Sequence, residues 1–477
     1  MTRRSLLAGA AAPLLAQGAK KRNLVFILCD DHRFDMMGFR GHPWLKTPNL
    51  DRLAKGGALI ENAFVTTALC SPSRASILTG QYVHAHGVTD NVSPLPANLT
   101  TFPQVLQKHG YKTALIGKWH MGGDSDMPRP GFDRWVSFRG QGKYVDPDIN
   151  YDGKTRTVKG YVTDILTEEA KRFIQENEKG PFLLYLSHKA VHADFTPADR
   201  HKDLYKTEPI PYPATMANTD ENYKGKPEWL RRQRNSWHGV DGMYNHRIKF
   251  DDFYRDYCRT LMALDDSVGA VMDELKSKNL LNDTLFIYMG DNGFQFGEHG
   301  LIDKRTMYEP SMRVPMIAHC PDLFPGGKRV EQMVLNLDIG PTLLEAAGAP
   351  IPSTVHGRSF LPLLTGKPVN WRTEFIYEYF WERDYPQTPT VIGLRTDQYS
   401  FMQYHGIWDL DELYDVRKDP QQRTNLLADV RTTTESGRLF GRIKDPEKKK
   451  LVADLQKRTK AILDATGGLP EPTWRTR

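Results

Sequence analysis

The chain has 477 residues, of which 39% are hydrophobic, 10% aromatic and 26% charged, the composition of an ordinary folded protein; this excludes a disordered, collagen-like or polytopic membrane chain. Lys and Arg total 64 against 58 Asp and Glu, a net +6, and no basic tail or arginine stripe is present. Nucleic-acid binding therefore has no electrostatic footprint, whereas a mild positive balance suits an anionic substrate.

Residues 1–18, MTRRSLLAGAAAPLLAQG, join the pair Arg3–Arg4 to an apolar stretch from Leu6 to Ala16 and a small-residue A-x-G end. This pattern predicts an export signal of the twin-arginine kind, and hence a periplasmic or extracellular protein. The stretch is shorter than the roughly 20 residues a spanning helix needs, and no later segment approaches that length, so no membrane span is expected. The cysteines Cys29, Cys70, Cys258 and Cys320 are too few and too scattered for a disulfide framework. Burial as small apolar side chains explains Cys29, Cys258 and Cys320.

Beyond the leader, short apolar runs predict strands buried on both faces: LVFIL (24–28), TALI (113–116), FLLYL (182–186) and LFIYM (285–289). Longer helical patterns separate them, one over 163–175 and another in which Tyr257, Leu261, Leu264, Val268, Val271 and Leu275 recur at three- or four-residue intervals. Alternation of this kind predicts an α/β fold with a large, mostly parallel sheet sandwiched by helices. Residues 193–247, rich in Pro, Asn, Lys and Tyr without periodicity, read as a long irregular insertion of the type that shapes pockets. From residue 366, strand-like pieces at 374–379 and 400–403 and a charged segment at 437–458, helical at its end, predict a smaller C-terminal α+β domain. The organisation expected is thus a leader (1–18), a catalytic domain (19–365) and a smaller domain (366–477).

The residues just past each strand carry the chemistry. Asp30 and Asp31 succeed the first, Lys118 and His120 the second, His192 the third, and Asp291 and Asn292 the fourth. Open α/β sheets bind ligands outside the carboxyl ends of their strands, so these groups should converge. Asp30, Asp31 and Asp291 with the Asn292 carbonyl offer only oxygen donors, which suit a hard cation, Ca2+ first and Mg2+ second.

Cys70 opens CSPSRASILTG. C-x-P-S-R-x-x-x-L-T-G resembles the signature of type I sulfatases, of the alkaline phosphatase-like superfamily, with Cys70, Pro72, Ser73, Arg74, Leu78, Thr79 and Gly80 all at the fixed positions. LVFILCDDHR, GKWHMG, LLYLSHKAVHADF, MGDNGFQFGEHGLIDKRTMYEPSMRVP and DELYDVRKDPQQRTNL are similar to further landmarks of that family, so the resemblance spans about residues 22–427. Both prolines of the family's Pro-His-x-Pro pattern are replaced around His192, by Val191 and Asp194.

The resemblance implies that a maturation enzyme oxidises Cys70 to formylglycine, whose hydrate is both nucleophile and metal ligand. Arg74 and Lys118 then hold the hydrate, Lys118 and Lys304 face the sulfate, His192 protonates the leaving alcohol, and His120 takes the proton that releases sulfate. The segment 376–415 and RNSWHGVDG are similar to sulfatases acting on N-acetylglucosamine 6-sulfate and related glycosaminoglycan sugars. This makes Trp237, His238, Trp381, Tyr385, Glu382 and Arg395 candidate substrate contacts, and His299, His84 and His86 are further candidates at the cleft. Two rivals stand beside this reading: a phosphodiesterase or phosphonate hydrolase on the same scaffold, and an exported glycan-binding protein without catalysis.

Overall fold

The computed structural model describes residues 21–123, 125–407, 409–428 and 443–468; the leader, 1–18, lies outside the described residues. In chain order its first twelve strands are β1 Asn23–Cys29, β2 Ala58–Phe64, β3 Lys112–Lys118, β4 Arg134–Phe138, β5 Asp148–Tyr151, β6 Lys154–Thr157, β7 Phe182–Ser187, β8 Thr284–Gly290, β9 Gln295–Phe296, β10 Ile302–Asp303, β11 Met316–His319 and β12 Lys328–Leu335. Ten of them form one sheet in the order β12-β2-β11-β8-β1-β7-β3-β4-β5-β6, and β9 pairs with β10 outside it.

The four apolar runs are the centre of this sheet, where β8, β1, β7, β3 and β4 are all parallel. The sheet is mostly parallel, as expected, with two strands, β11 and β5, running against the rest. β11 runs antiparallel between β2 and β8, and β5 and β6 close one edge as an antiparallel hairpin. β11, β5 and β6 are four residues long; β5 and β6 are largely polar and β6 is exposed throughout, while the buried β11 offers only Met316, Ile317 and Ala318, too short a run to announce a strand.

Alternate residues of β1 feed two cores. Leu24, Phe26 and Leu28 face a layer holding Ile77, Leu106 and Leu343, while Val25 and Ile27 face one holding Leu166, Phe173, Leu261 and Leu264. The second layer is built by the helices Val162–Glu176 and Phe250–Ser277, which bear the predicted periodicity. Each side chain fully buried in this way contributes roughly 1.5–3 kcal/mol.

The C-terminal strands β13 Glu374–Tyr379, β14 Thr390–Thr396, β15 Tyr399–His405 and β16 Glu412–Asp415 make an antiparallel meander, accompanied by the helix Pro446–Thr466. Among the described residues its buried side chains belong to the core of the large sheet. Phe375, Ile376, Tyr377 and Phe401 join the same cluster as Phe64 and Leu337, and the rings of Phe64 and Phe375 lie 5.2 Å apart. The insertion 193–247 holds only short helical pieces, Asp220–Tyr223 and Glu228–Gln233 among them, too brief to show a period.

Candidate active site

Cys70 is the first residue of the ten-residue helix Cys70–Thr79, every residue of which is buried. The spacing Cys70 to Arg74 is one helical turn, which puts both on the same face. Pro72 sits in the first turn, where a missing N–H costs nothing. Gly80 ends the helix at φ 67 with its N–H on the Ser76 carbonyl, a left-handed cap that favours glycine. A Cβ there would also lie 2.7 Å from Val355. Fixed positions of the signature thus divide into a reactive face and the backbone that aims it.

The strand ends converge on this face. The Cys70 thiol donates to Asp30 Oδ1 at 3.3 Å, and Lys118 Nζ pairs with Asp30 Oδ2. Arg74 binds Asp291 Oδ2 through Nε at 2.9 Å and donates through Nη1 to Ser187 Oγ at 2.6 Å. Lys304, following β10, pairs with Asp31 Oδ1, and Asn292 Nδ2 donates to the same oxygen at 2.7 Å. His120 Nδ1 is 3.1 Å from Ser71 Oγ, and His192 Nε2 stands 3.9 Å from Asp31 Oδ2. Asp31 and His120 have φ of 55 and 71, left-handed values that non-glycine residues hold only when the surroundings impose them.

Asp30, Asp31 and Asp291 are fully buried and bring carboxylate oxygens within 4.8 Å of one another. Asp31 Oδ2 and Asn292 Oδ1, both pure acceptors, have no hydrogen-bond donor. Orphaned buried acceptors beside clustered carboxylates are what a cation site presents, and an all-oxygen set fits a hard divalent ion. A mixed set also converges here: Asp30, the Cys70 thiol and His192 bring donor atoms within 4.8 Å, so soft donors are present as well.

The electrostatics follow from this crowding. Burial, then Asp30 and Asp291, push Asp31 up to about 7. Burial acts on Asp30 in the same direction but is outweighed by Lys118, His192 and Arg74, which hold that carboxyl well below its usual range. Burial and the neighbouring cations keep the His120 and His192 imidazoles well below their ordinary value. Burial, with Asp30, pushes the Cys70 thiol far up, so an unmodified cysteine rests here as a neutral donor.

Residues 22–349 match the family model described as Sulfatase. The chain belongs to the sulfatase family. A second family model, N-sulphoglucosamine sulphohydrolase, C-terminal, matches residues 297–450. Among curated relatives, an N-acetylglucosamine-6-O-sulfatase of Bacteroides thetaiotaomicron is 32% identical, over 90% of this chain and 87% of the relative. A human N-acetylglucosamine-6-sulfatase is 29% identical over 87% of this chain and 83% of its own length. The solved structure of BT4656 in complex with its substrate D-glucosamine-2-N,6-O-disulfate superposes with a TM-score of 0.82 at 29% identity, covering 94% of this chain and 98% of that one. The phosphonate monoester hydrolase of Agrobacterium radiobacter shares the fold, with a TM-score of 0.76 at 21% identity, 94% of this chain and 96% of that one being covered. The sulfatase is accordingly a sulfuric ester hydrolase of alkaline phosphatase-like architecture.

Of the substrate contacts expected from sequence, Trp237 and Trp381 keep 38% and 47% of their surface in solvent. His238 stacks on Tyr385 with centroids 4.5 Å apart and lies 3.6 Å from Asp303, beside the Lys304 loop. Three others are committed elsewhere. Arg395 is buried against Glu309, its Nε 2.7 Å from Oε1, and His299 is buried between Tyr308, at 4.0 Å, and Lys226, at 2.7 Å. Glu382 is buried on Arg305 and Tyr379. His86 packs behind the signature helix on Ser76 Oγ, and His84 binds Glu378. Sequence reasoning overlooked Gln141, which accepts from Lys118, Ser187, which accepts from Arg74, and Lys189. The last is buried with its ammonium 4.6 Å from the Tyr144 ring centre, and burial and Lys118 lower it to about 8. Only the HKAVH string, with Lys189 three residues before His192, hinted at it.

Proposed function

We propose that this sulfatase hydrolyses the sulfate ester of a sulfated sugar, N-acetylglucosamine 6-sulfate or a related glycosaminoglycan unit, with residue 70 in its formylglycine form. The observation that carries the reading is the convergence of Cys70, Arg74, Lys118, His120, His192 and Lys304 around the acidic cluster. The curated relative at 32% identity and the glucosamine disulfate complex support the choice of sugar. A maturation enzyme that oxidises the cysteine and export by the leader belong to the same reading. Among the described residues no helix is long and apolar enough to cross a membrane.

Asp30, Asp31, Asp291 and Asn292 Oδ1 would hold one divalent cation, Ca2+ before Mg2+, because the two donorless atoms are both hard oxygens. Bound there, the cation supplies a lowered pKa for an adjacent hydroxyl and takes up developing negative charge. Hydrated formylglycine offers two hydroxyls on one carbon, one to attack sulfur and one whose deprotonation expels sulfate by elimination, a route closed to serine.

The remaining work falls to side chains whose geometry is fixed. Arg74, held on Asp291, and Lys118, held on Asp30, flank residue 70. Lys118 and Lys304 present ammonium groups to the sulfate oxygens, over which transition-state charge spreads. His192 donates Nδ1–H to the Ala193 carbonyl, which turns Nε2 toward the departing alcohol; it acts as the acid in its imidazolium form, with Nε2 taking up its proton when the anionic ester binds beside it. His120, with Nδ1 on Ser71, takes the proton of the second hydroxyl through Nε2. The half-exposed rings of Trp237 and Trp381 offer apolar faces to the sugar.

The decisive test is mass spectrometry of the tryptic peptide from Gly56 to Arg74, made with a maturation enzyme, alongside rates on N-acetylglucosamine 6-sulfate, nitrophenyl sulfate and nitrophenyl phosphate. Formylglycine at position 70 and preference for sulfate esters are expected. A thiol that persists would remove the nucleophile, preference for phosphate would favour the phosphoryl rival, and binding without release would favour a silent glycan-binding protein.

A further inference from the structure

The backbone that carries Lys304 is held against its own preference. Asp303 and Arg305, on either side of it, have φ of 78 and 79, a left-handed pair that non-glycine residues hold only when neighbours impose it. The neighbours are identifiable. Arg305 N donates to the Ala68 carbonyl at 3.0 Å, tying the loop to the segment that leads into Cys70. Its guanidinium pairs with Asp303, lies 4.0 Å from the centre of the Tyr385 ring and donates through Nε to Glu382 Oε1 at 2.7 Å. The same Glu382 oxygen accepts the Tyr379 hydroxyl at 2.9 Å. Arg305 and Glu382 side chains are only 4% and 6% exposed, so the pair works with little screening.

Glu382, Tyr379 and Tyr385 belong to the C-terminal unit, not to the large sheet. Strand β13 reaches the other catalytic segment too: the Tyr377 hydroxyl accepts from Ala68 N at 3.1 Å, and Glu378 N donates to the Thr66 carbonyl at 2.9 Å. We infer that Glu382 is a positioning residue: through Arg305 it fixes the strained backbone that aims Lys304 at the sulfate, so that the C-terminal unit sets the sulfate seat. This rests on the role proposed above for Lys304. It replaces the direct sugar contact expected of Glu382, whose bonded oxygen already has two donors.

The test uses the full, matured chain and its Glu382→Gln variant, with rates on nitrophenyl sulfate and N-acetylglucosamine 6-sulfate, the inhibition constant of inorganic sulfate, and the thermal midpoint. The expected result is a fall in kcat/KM of about 10- to 100-fold on both substrates, the scale of a lost outer-layer contact, and a rise of similar factor in the sulfate inhibition constant per folded molecule. Tyr379→Phe, which keeps the ion pair and removes one hydrogen bond, should stay folded and shift both readouts the same way by about three- to fivefold. Rates and inhibition per folded molecule within twofold of wild type in both variants would overturn the inference. So would a loss confined to the sugar substrate, which marks a direct sugar contact. Wild-type protein that neither turns over sulfate esters nor is inhibited by sulfate would instead overturn the sulfatase chemistry beneath it.

Discussion

At Asp291 one carboxylate neutralises Arg74 through contacts at 2.8 and 2.9 Å and accepts the Asp31 N–H at 3.0 Å, and in the proposed cation site it would also supply charge. Asp291→Asn keeps the shape and removes the charge, so it should fold and yet lose bound metal, with activity falling about 10³-fold, or about 4 kcal/mol of barrier. Elemental analysis and rate on the same sample check this; full activity with full metal content would remove Asp291 from the site. His192→Ala separates acid from electrostatic roles. Loss should reach about 10²–10⁴-fold on a sugar sulfate, whose alkoxide leaves poorly, and be much smaller on nitrophenyl sulfate, whose phenolate needs little protonation. Equal losses would end the general-acid assignment. These residues were legible because strand ends and a seven-position motif marked them. Ser187 and Gln141 were not, since a serine or glutamine becomes informative only once Arg74 or Lys118 is seen donating to it.

The elements that were legible are those buried on both faces, since only there does a strand write a continuous apolar run. The polar hairpin β5–β6 left no such trace, and β11, though buried, holds only three successive apolar residues, so the two strands that run against an otherwise parallel sheet were not legible. The element-scale device that sequence patterning does not reveal is how closely β3 and β7 approach. Gly117 has φ 116, and a Cβ placed on it would fall 1.8 Å from the Ser187 carbonyl oxygen. That contact brings the Lys118 carbonyl and Ser187 Oγ within 2.7 Å of each other, and Arg74 Nη1 donates to both, at 3.0 Å and 2.6 Å. Gly117→Ala must push the two strands apart or flip the peptide. It should cost at least about 3 kcal/mol in denaturant unfolding and lower activity of the folded fraction further. A variant with unchanged midpoint and rate would show that the strand pair has slack the geometry denies.

At the scale of the whole molecule, the helix Pro446–Thr466 buries Val452, Leu455 and Leu463 in the shared core and is tied at its end to one imidazole. His84 Nδ1 lies 2.8 Å from Glu378 Oε1 on β13, and Nε2 lies 3.1 Å from the carbonyl of Thr466, the last residue of the helix Pro446–Thr466. A carbonyl and a carboxylate only accept, so both contacts are satisfied at once only by an imidazolium. Tyr82 stacks on the ring at 5.7 Å and His356 at 6.2 Å, which fixes its plane. Burial alone would lower His84, but the Glu378 carboxylate and the Thr466 carbonyl outweigh it and the folded value is raised. A raised folded value means the stabilisation is fully present below the unfolded imidazole value of about 6.5 and is lost as pH climbs through the folded one. Wild type should therefore exceed His84→Ala in thermal midpoint most at about pH 6, with the gap closing by about pH 9. Hydrogen exchange in 446–466 of the wild type should speed up over the same interval beyond its ordinary base dependence. A midpoint gap that does not change with pH would mean that His84 holds the helix as a neutral ring, by packing alone.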